Sequence, residues 1–249
     1  MASPESFLLG ISGPSSSGKT TLARLLRDII PNSYILHEDD FYKTDAEIPV
    51  DPESGLQDWD CLGSLNLPAL EAAMKHIKST GTLPPDLESK EDKNSVGEVK
   101  VDAATIDELK ERAQRLPSQN HGAKVAIIDG FLLYSHELAS IHEIFDAKLF
   151  LRTDHETAKS RREARSGYVT LEGFWADPPG YVDKIVWPNY VKDHKFLFQE
   201  QDVEGKVDQS VAQRLGIDVM PNQAQGDMTA CLKWAYEAIE ASLSKYKDP

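Results

Sequence analysis

The sequence is poor in cysteine, in basic residues and in long apolar runs, and each shortage excludes something. Its 249 residues include only Cys61 and Cys231, so no disulfide framework holds the chain together. Lys and Arg number 27 against 41 Asp and Glu, a net charge of −14. The average field of such a chain repels polyanions, so neither nucleic acid nor an anionic membrane is an expected partner, and protein partners are left open. No apolar run approaches the roughly 18 residues of a membrane span, and the opening MASPESFLLGIS has no basic leader. A soluble, reduced, intracellular protein is expected, cytoplasmic, with the nucleus left open. What is present is a 40% share of hydrophobic residues, enough for a substantial core at this length. Any anionic ligand must then be held by a local concentration of positive groups.

The run Phe7 to Ile11, cut off by Ser12-Gly13-Pro14, reads as a buried parallel strand. Leu22, Leu25, Leu26 and Ile29 mark one face of a helix that ends before Pro31. Further strands are expected at Ser33 to His37, Val125 to Ile128, Lys148 to Leu151 and Ile217 to Met220. Helices are expected from Leu65 to Ile77, over the arginine-rich stretch after the fourth strand, and from Met228 to Lys245. This alternation predicts an α/β fold, a three-layer α/β/α sandwich on a mostly parallel five-stranded sheet. Residues 83–120 break the pattern with nine acidic residues, six basic ones and three prolines. They read as an insertion too polar to join a core, with room for a short helix from Ala103 to Arg115. Without it, the chain has the length of a single domain.

Gly13-Pro14-Ser15-Ser16-Ser17-Gly18-Lys19-Thr20 matches the phosphate loop G-x-x-x-x-G-K-[ST], after a strand and opening a helix. The glycines let the backbone wrap a polyphosphate, so that N–H groups and the positive helix end face the anion. Lys19 reaches the outer phosphates and the Thr20 hydroxyl, followed by Thr21, takes a place on Mg²⁺. The motif predicts a P-loop NTPase fold that binds a nucleoside triphosphate with magnesium, and the anion is then held largely by backbone dipoles. The second strand delivers Glu38-Asp39-Asp40-Phe41-Tyr42-Lys43 to the sheet edge where ligands of such folds bind. Asp39 is the expected proton acceptor for an attacking hydroxyl, with Asp40 as its substitute. Asp129, after four apolar residues, has the pattern of a carboxylate held at magnesium. Lys159, Arg161, Arg162 and Arg165 form the one dense basic cluster, and residues 166–180 read as a loop able to act as a lid. The cysteines and Trp234 read as core residues, and His37 as a strand-end hydrogen-bonding group.

The phosphate loop, the EDDFYK block, Gln57-Asp58-Trp59-Asp60, Ile128-Asp129-Gly130-Phe131, the arginine helix, Pro179-Gly180-Tyr181 and Val186-Trp187-Pro188 stand in the order of one family. In this combination the chain resembles the nicotinamide riboside kinases, within the P-loop nucleoside kinase group near uridine kinase. The resemblance covers about residues 1–80 and 124–200. It implies transfer of the γ-phosphoryl of ATP to the 5′-hydroxyl of nicotinamide riboside, and of nicotinic acid riboside, in the synthesis of NAD. It further implies that Asp39 is both base and metal-associated acid, and that Asp40, Phe41 and Tyr42 lie along the substrate. Asp60 and Arg162 would hold the ribose, and Trp59 with Tyr168 the pyridine ring. Arg161 and Arg165 would face the ATP phosphates, and Gln223-Ala224-Gln225 the adenine. Departures are Asp129 where the family usually has glutamate, Trp59 where it more usually has tyrosine, Ser160 where it can carry arginine, and the insertion. A uridine or cytidine kinase is the nearest rival, and a nucleotide-switched binding protein the rival of another class.

Overall fold

The structure, a computed structural model, describes residues 6–91, 94, 99–116, 124–165, 167–170 and 172–246. Its strands are β1 (Phe7–Ser12), β2 (Ser33–His37), β3 (Val125–Asp129), β4 (Ala147–Phe150), β5 (Tyr168–Val169), β6 (Phe174–Trp175) and β7 (Ile217–Val219). Five of them form one sheet in the order β2-β3-β1-β4-β7, with every neighbouring pair parallel. The remaining two, β5 and β6, pair as a separate antiparallel hairpin. The helices are α1 (Lys19–Ile29), α2 (Leu67–Thr80), α3 (Ala103–Gln114), α4 (Ala139–His142), α5 (His155–Glu163), α6 (Trp187–His194), α7 (Gln209–Leu215) and α8 (Met228–Leu243). This is the expected sandwich, and the strand ends agree with the sequence reading to within a residue or two. Among the described residues no helix is long and apolar enough to cross a membrane.

Local chemistry explains where the helices begin and end. Helix α1 starts from Gly18, left-handed at φ 100°, and turns Leu22, Ala23, Leu26 and Ile29 inward before the chain extends at Ile30 ahead of Pro31. Helix α2 is capped by Asn66, whose side chain accepts the Ala69 N–H, and is stopped by left-handed Gly81 at φ 69°. Alternation along β1 sends Phe7, Leu9 and Ile11 to the layer built with α1, α3 and α8, and Leu8 to the opposite layer with α2.

The expected solvated insertion is corrected in one respect. Leu109, Ala113 and Leu116 are buried in the same core cluster as Leu22 and Ile239, and Asp102 caps α3 by accepting the Thr105 N–H. The segment's average polarity is high, but helical spacing gathers its few apolar residues on one face, and one face is all a packed helix needs. Of this segment, residues 92–93, 95–98 and 117–120 lie outside the described residues, as do 166 and 171 of the expected lid.

Register places the chemistry. Asp129 pairs in register with both Ile11 and His37, so the carboxyl ends of β1, β2 and β3 finish level with one another. The phosphate loop, the acidic turn and Asp129 therefore meet at one edge of the sheet, where open α/β sheets bind ligands.

Candidate active site

The phosphate loop has the backbone of an anion cradle. Gly13 sits at φ 141°, and a Cβ there would stand 2.5 Å from the Leu151 carbonyl oxygen, so only glycine fits. Ser16 at φ 61° and Gly18 at φ 100° are also left-handed, the alternation that forms an anion-binding nest. The Ser16 and Ser17 hydroxyls are buried with no hydrogen-bond partner. Buried hydroxyls are normally paired, and of these two Ser16 lines the cavity, where its hydroxyl can donate to a ligand's oxygen. Lys19 donates to the Pro14 carbonyl at 2.9 Å. Burial lowers its pKa, while Asp39 and Asp129 pull it back up.

Asp39 lies on a 3₁₀ turn, Glu38–Phe41, that follows β2 directly. It lines one cavity with Lys19, Thr20 and Asp129. Its pKa stands well above the usual carboxylate range, raised by burial and then by Glu91 and Asp129, against the pull of Lys19. Asp129 accepts a hydrogen bond from His37 Nδ1 at 2.5 Å, with both residues buried. Burial opposes charge on His37, but the Asp129 carboxylate more than offsets it and raises the imidazole to about 9. Glu38 does not face the cavity. It is fully buried, and its Oε2 accepts the N–H groups of Phe131 at 2.6 Å and Leu132 at 3.0 Å, which pins the turn after β3 to the turn after β2. A Cβ on Gly130 would stand 2.5 Å from that oxygen, so the Asp-Gly step is needed for the approach. Burial lifts Glu38 to about 7. Among the described residues no group of three or more His, Cys, Asp or Glu converges as a metal-holding cluster. A donor set of Thr20, Asp39 and Asp129 beside two unpaired serine hydroxyls instead suits a cation that keeps waters and takes phosphate oxygens, as magnesium does.

The other half of the cavity is aromatic. Trp59 is only 4% exposed yet lines it, between Tyr42 and Trp175 with both ring centroids at 5.4 Å, and its indole N–H has no partner. Next to it, Asp60 and Arg162 form a buried bidentate pair at 2.8 and 3.0 Å. The guanidinium also donates to Asp177 through Nε at 2.6 Å and Nη2 at 3.3 Å, and to the Ser15 hydroxyl at 2.9 Å. All five of its N–H groups are thus used, joining the acceptor loop, the phosphate loop and the segment after the hairpin. Burial works against the Arg162 charge, but Asp60 and Asp177 hold its pKa well above the ordinary value. Arg162 and Arg165 lie over the Tyr168 ring at 5.1 and 5.4 Å.

With this geometry in hand, the curated relatives can be compared. The nicotinamide riboside kinase of Schizosaccharomyces pombe is 46% identical over 205 residues, covering 82% of this chain and 85% of that protein. The chain belongs to the nicotinamide riboside kinase family. Other members agree along most of their length. The enzyme of Eremothecium gossypii is 35% identical, covering 94% of this chain and 93% of its own. Human nicotinamide riboside kinase 1 is 31% identical, covering 82% of each chain. No family model matches the chain. Solved structures resemble it more loosely, among them a sugar kinase from Janibacter with TM-score 0.43, 13% identity and coverage of 95% and 98% of the two chains.

Of the site residues expected for a nicotinamide riboside kinase, the structure brings Ser15, Ser16, Gly18, Lys19, Thr20, Thr21, Asp39, Tyr42, Trp59, Asp60, Asp129, Arg162, Arg165 and Tyr168 around one cavity. Gly13 and Ser17 shape the loop behind it, and Arg161 donates to the Ser16 carbonyl at 3.3 Å. Others are not brought there. Asp40 turns away and accepts the N–H groups of Lys90 and Glu91, and Phe41 is buried in the α2 core. Successive residues of a 3₁₀ turn point about 120° apart, so a run of three cannot face one cleft. In the turn Asn222–Ala224, Ala224 is buried in the core and Gln223 is exposed, and neither they nor Gln225 line the cavity. Sequence reasoning missed Lys90, Glu91 and Asn94 of the insertion, and Phe131 and Trp175, all on the cavity wall. For Phe131 and Trp175 the only signal was nearness to Gly130 and to the loop after Tyr168. For the insertion, the resemblance implied only that this connection can help line the base pocket, and it singled out no residue.

Proposed function

We propose that the chain is an ATP-dependent ribosylnicotinamide kinase. It transfers the γ-phosphoryl of ATP to the 5′-hydroxyl of nicotinamide riboside, and accepts nicotinic acid riboside as a second substrate. The observation that carries this reading is one cavity, with a phosphate loop and Asp39 at one end and buried Trp59 beside Asp60 at the other. A pyridinium ring is a cation, and an aromatic wall edged with carboxylates suits it, a ring face contributing about 0.5–2 kcal/mol. Uridine is neutral and draws nothing from that charge.

In the reaction, the phosphate loop's N–H groups, the Ser16 hydroxyl and Lys19 hold the β- and γ-phosphates, with Arg161 and Arg165 at their flank. The riboside lies with its ring against Trp59 and Tyr168 and its ribose hydroxyls on Asp60. Because the Arg162 donors are already committed, Arg162 acts by fixing that carboxylate. Asp39 accepts the proton of the 5′-hydroxyl as its oxygen attacks the γ-phosphorus and the bond to the β-phosphate oxygen breaks, releasing ADP. The carboxylate lines the same cavity as Lys19 and Thr20, where an acceptor hydroxyl beside the γ-phosphate would meet it. Thr20, Asp39 and Asp129 would hold Mg²⁺, which neutralises charge on the transferring group. Residues 166–180, which carry the β5–β6 hairpin, serve as the lid that keeps water out, and residues 83–120 are an insertion within a single kinase domain spanning the chain. The test is mononucleotide formation from ATP and each riboside. ADP release independent of acceptor would defeat the reading.

A further inference from the structure

The hairpin over the acceptor half of the cavity is held from outside, by Trp175 against Trp59 and Tyr181 and by Tyr168 beneath Arg162 and Arg165. Its strands are two residues each, and Phe174 is exposed. Isolated two-stranded pairs are marginal even when longer than this. The inserted segment supplies an anchor. Asp40, next to Asp39 in the acidic turn, accepts the N–H groups of Lys90 at 2.6 Å and Glu91 at 3.0 Å. Arg24 donates to the Glu91 carbonyl at 3.2 Å. The Glu91 carboxylate then accepts from Asn94 Nδ2 at 2.6 Å, and Asn94 Oδ1 accepts the N–H of Val169, next to Tyr168 in the hairpin, at 3.0 Å. A continuous chain of hydrogen bonds thus runs from the turn that carries Asp39 to the strand that carries Tyr168. Glu91 and Asn94 both line the cavity.

From this chain of bonds we propose that Asn94, oriented by Glu91, is a positioning residue that fixes the Tyr168 hairpin relative to the Asp39 turn and so sets the geometry of the acceptor half of the site. The chemistry at position 94 is specific. The side chain must donate to a carboxylate and accept from a backbone N–H at once, which an amide does and neither a carboxylate nor an alkyl group can. The bond to Glu91 is charge-assisted and correspondingly strong. The two Asn94 bonds act on the Tyr168 hairpin over the riboside end, and the Arg24 bond that reaches α1 uses the Glu91 backbone carbonyl and survives either substitution, so the acceptor and not ATP feels their loss. The segment that composition marks as solvated filler is in this respect a working wall of the site.

The proposal rests on the kinase reading for its kinetic consequence, and the experiment separates the two. Amide exchange at Val169, followed by NMR in the ligand-free protein, reads the link directly. Steady-state kinetics read its effect. Asn94→Ala and Glu91→Ala should each speed Val169 exchange about tenfold, the scale of one lost hydrogen bond. The KM for nicotinamide riboside should rise about tenfold, while the KM for ATP stays within about twofold. Glu91→Gln keeps an acceptor for Asn94 and should leave Val169 protection close to the unaltered protein. The proposal is overturned if Val169 exchange is the same in Asn94→Ala, if the KM values for riboside and ATP rise together, or if Glu91→Gln behaves as Glu91→Ala. If the unaltered protein does not phosphorylate the riboside, the kinase reading falls and Val169 exchange still decides the link.

Discussion

Arg162 is the most heavily committed side chain at the site, and its removal gives the sharpest stability prediction. In Arg162→Met the aliphatic stem remains and the guanidinium goes, leaving Asp60, whose side chain is 5% exposed, without its counter-charge. Removing one partner of a buried pair costs about 3–5 kcal/mol, because the remaining charge stays buried and unpaired. Asp60→Asn alone should cost less, about 1–3 kcal/mol, since Arg162 keeps Asp177 and Ser15. The double variant no longer has an orphaned Asp60 carboxylate, while Asp177 loses its guanidinium partner in both Arg162 variants alike, so the two losses should fall short of additivity by about 1–3 kcal/mol. Urea unfolding of all four proteins measures this. The pH dependence follows in sign. Burial already raises the Asp60 pKa with Arg162 present, and without it the folded-state value climbs further. A carboxyl raised on folding stabilises the protonated form and loses that stability as pH rises, so the Arg162→Met penalty should be smaller at acid pH than at neutral pH. A penalty below about 1 kcal/mol at neutral pH, or strict additivity in the cycle, would refute the reasoning.

Asp39→Asn should lower kcat by about 10²–10⁴, the scale of a general base, with ATP binding by calorimetry little changed, and unaltered turnover would remove Asp39 from that role. Trp59→Ala should raise the KM for the riboside while sparing ATP. Because Trp59 is 4% exposed it should also cost about 3–5 kcal/mol of stability, and a loss of stability with KM unchanged would make it a core residue alone. Glu38 rises from 4.5 to about 7 on burial, so its contribution to stability is full below the lower value and is lost as pH rises through the upper. Glu38→Gln keeps an acceptor for Phe131 and Leu132 and should flatten the unfolding free energy between those two values. A slope unchanged in the variant would exclude Glu38 as its source.

The sheet and the phosphate end of the site were legible because each rests on a local signal. Phe7 to Ile11 is a buried run ended by glycine and proline, and Gly13 to Thr20 carries its own spacing. Asp129 followed the same logic, four apolar residues and then an acid. What was not legible depends on direction and on distance. Asp39, Asp40 and Phe41 are adjacent in sequence, yet the turn sends one to the cavity, one to the insertion and one to the core, and no local pattern distinguishes them. Composition underrated residues 83–120, because an average cannot see that Leu109, Ala113 and Leu116 share a face, or that Asn94 meets Val169, 75 residues on. The saturation of Arg162 by Asp60, Asp177 and Ser15 is likewise a property of the assembled fold. At the adenine end the sequence offers only a resemblance that has faded by Gln223 to Gln225, and Ala224 is buried in the core.

The central claim is that the cavity is built for a cationic pyridine riboside. The direct measurement is kcat/KM for nicotinamide riboside and for uridine at matched concentration with saturating ATP and magnesium. The arrangement of Trp59, Asp60 and Asp39 predicts a clearly higher value for nicotinamide riboside. A higher value for uridine would contradict it.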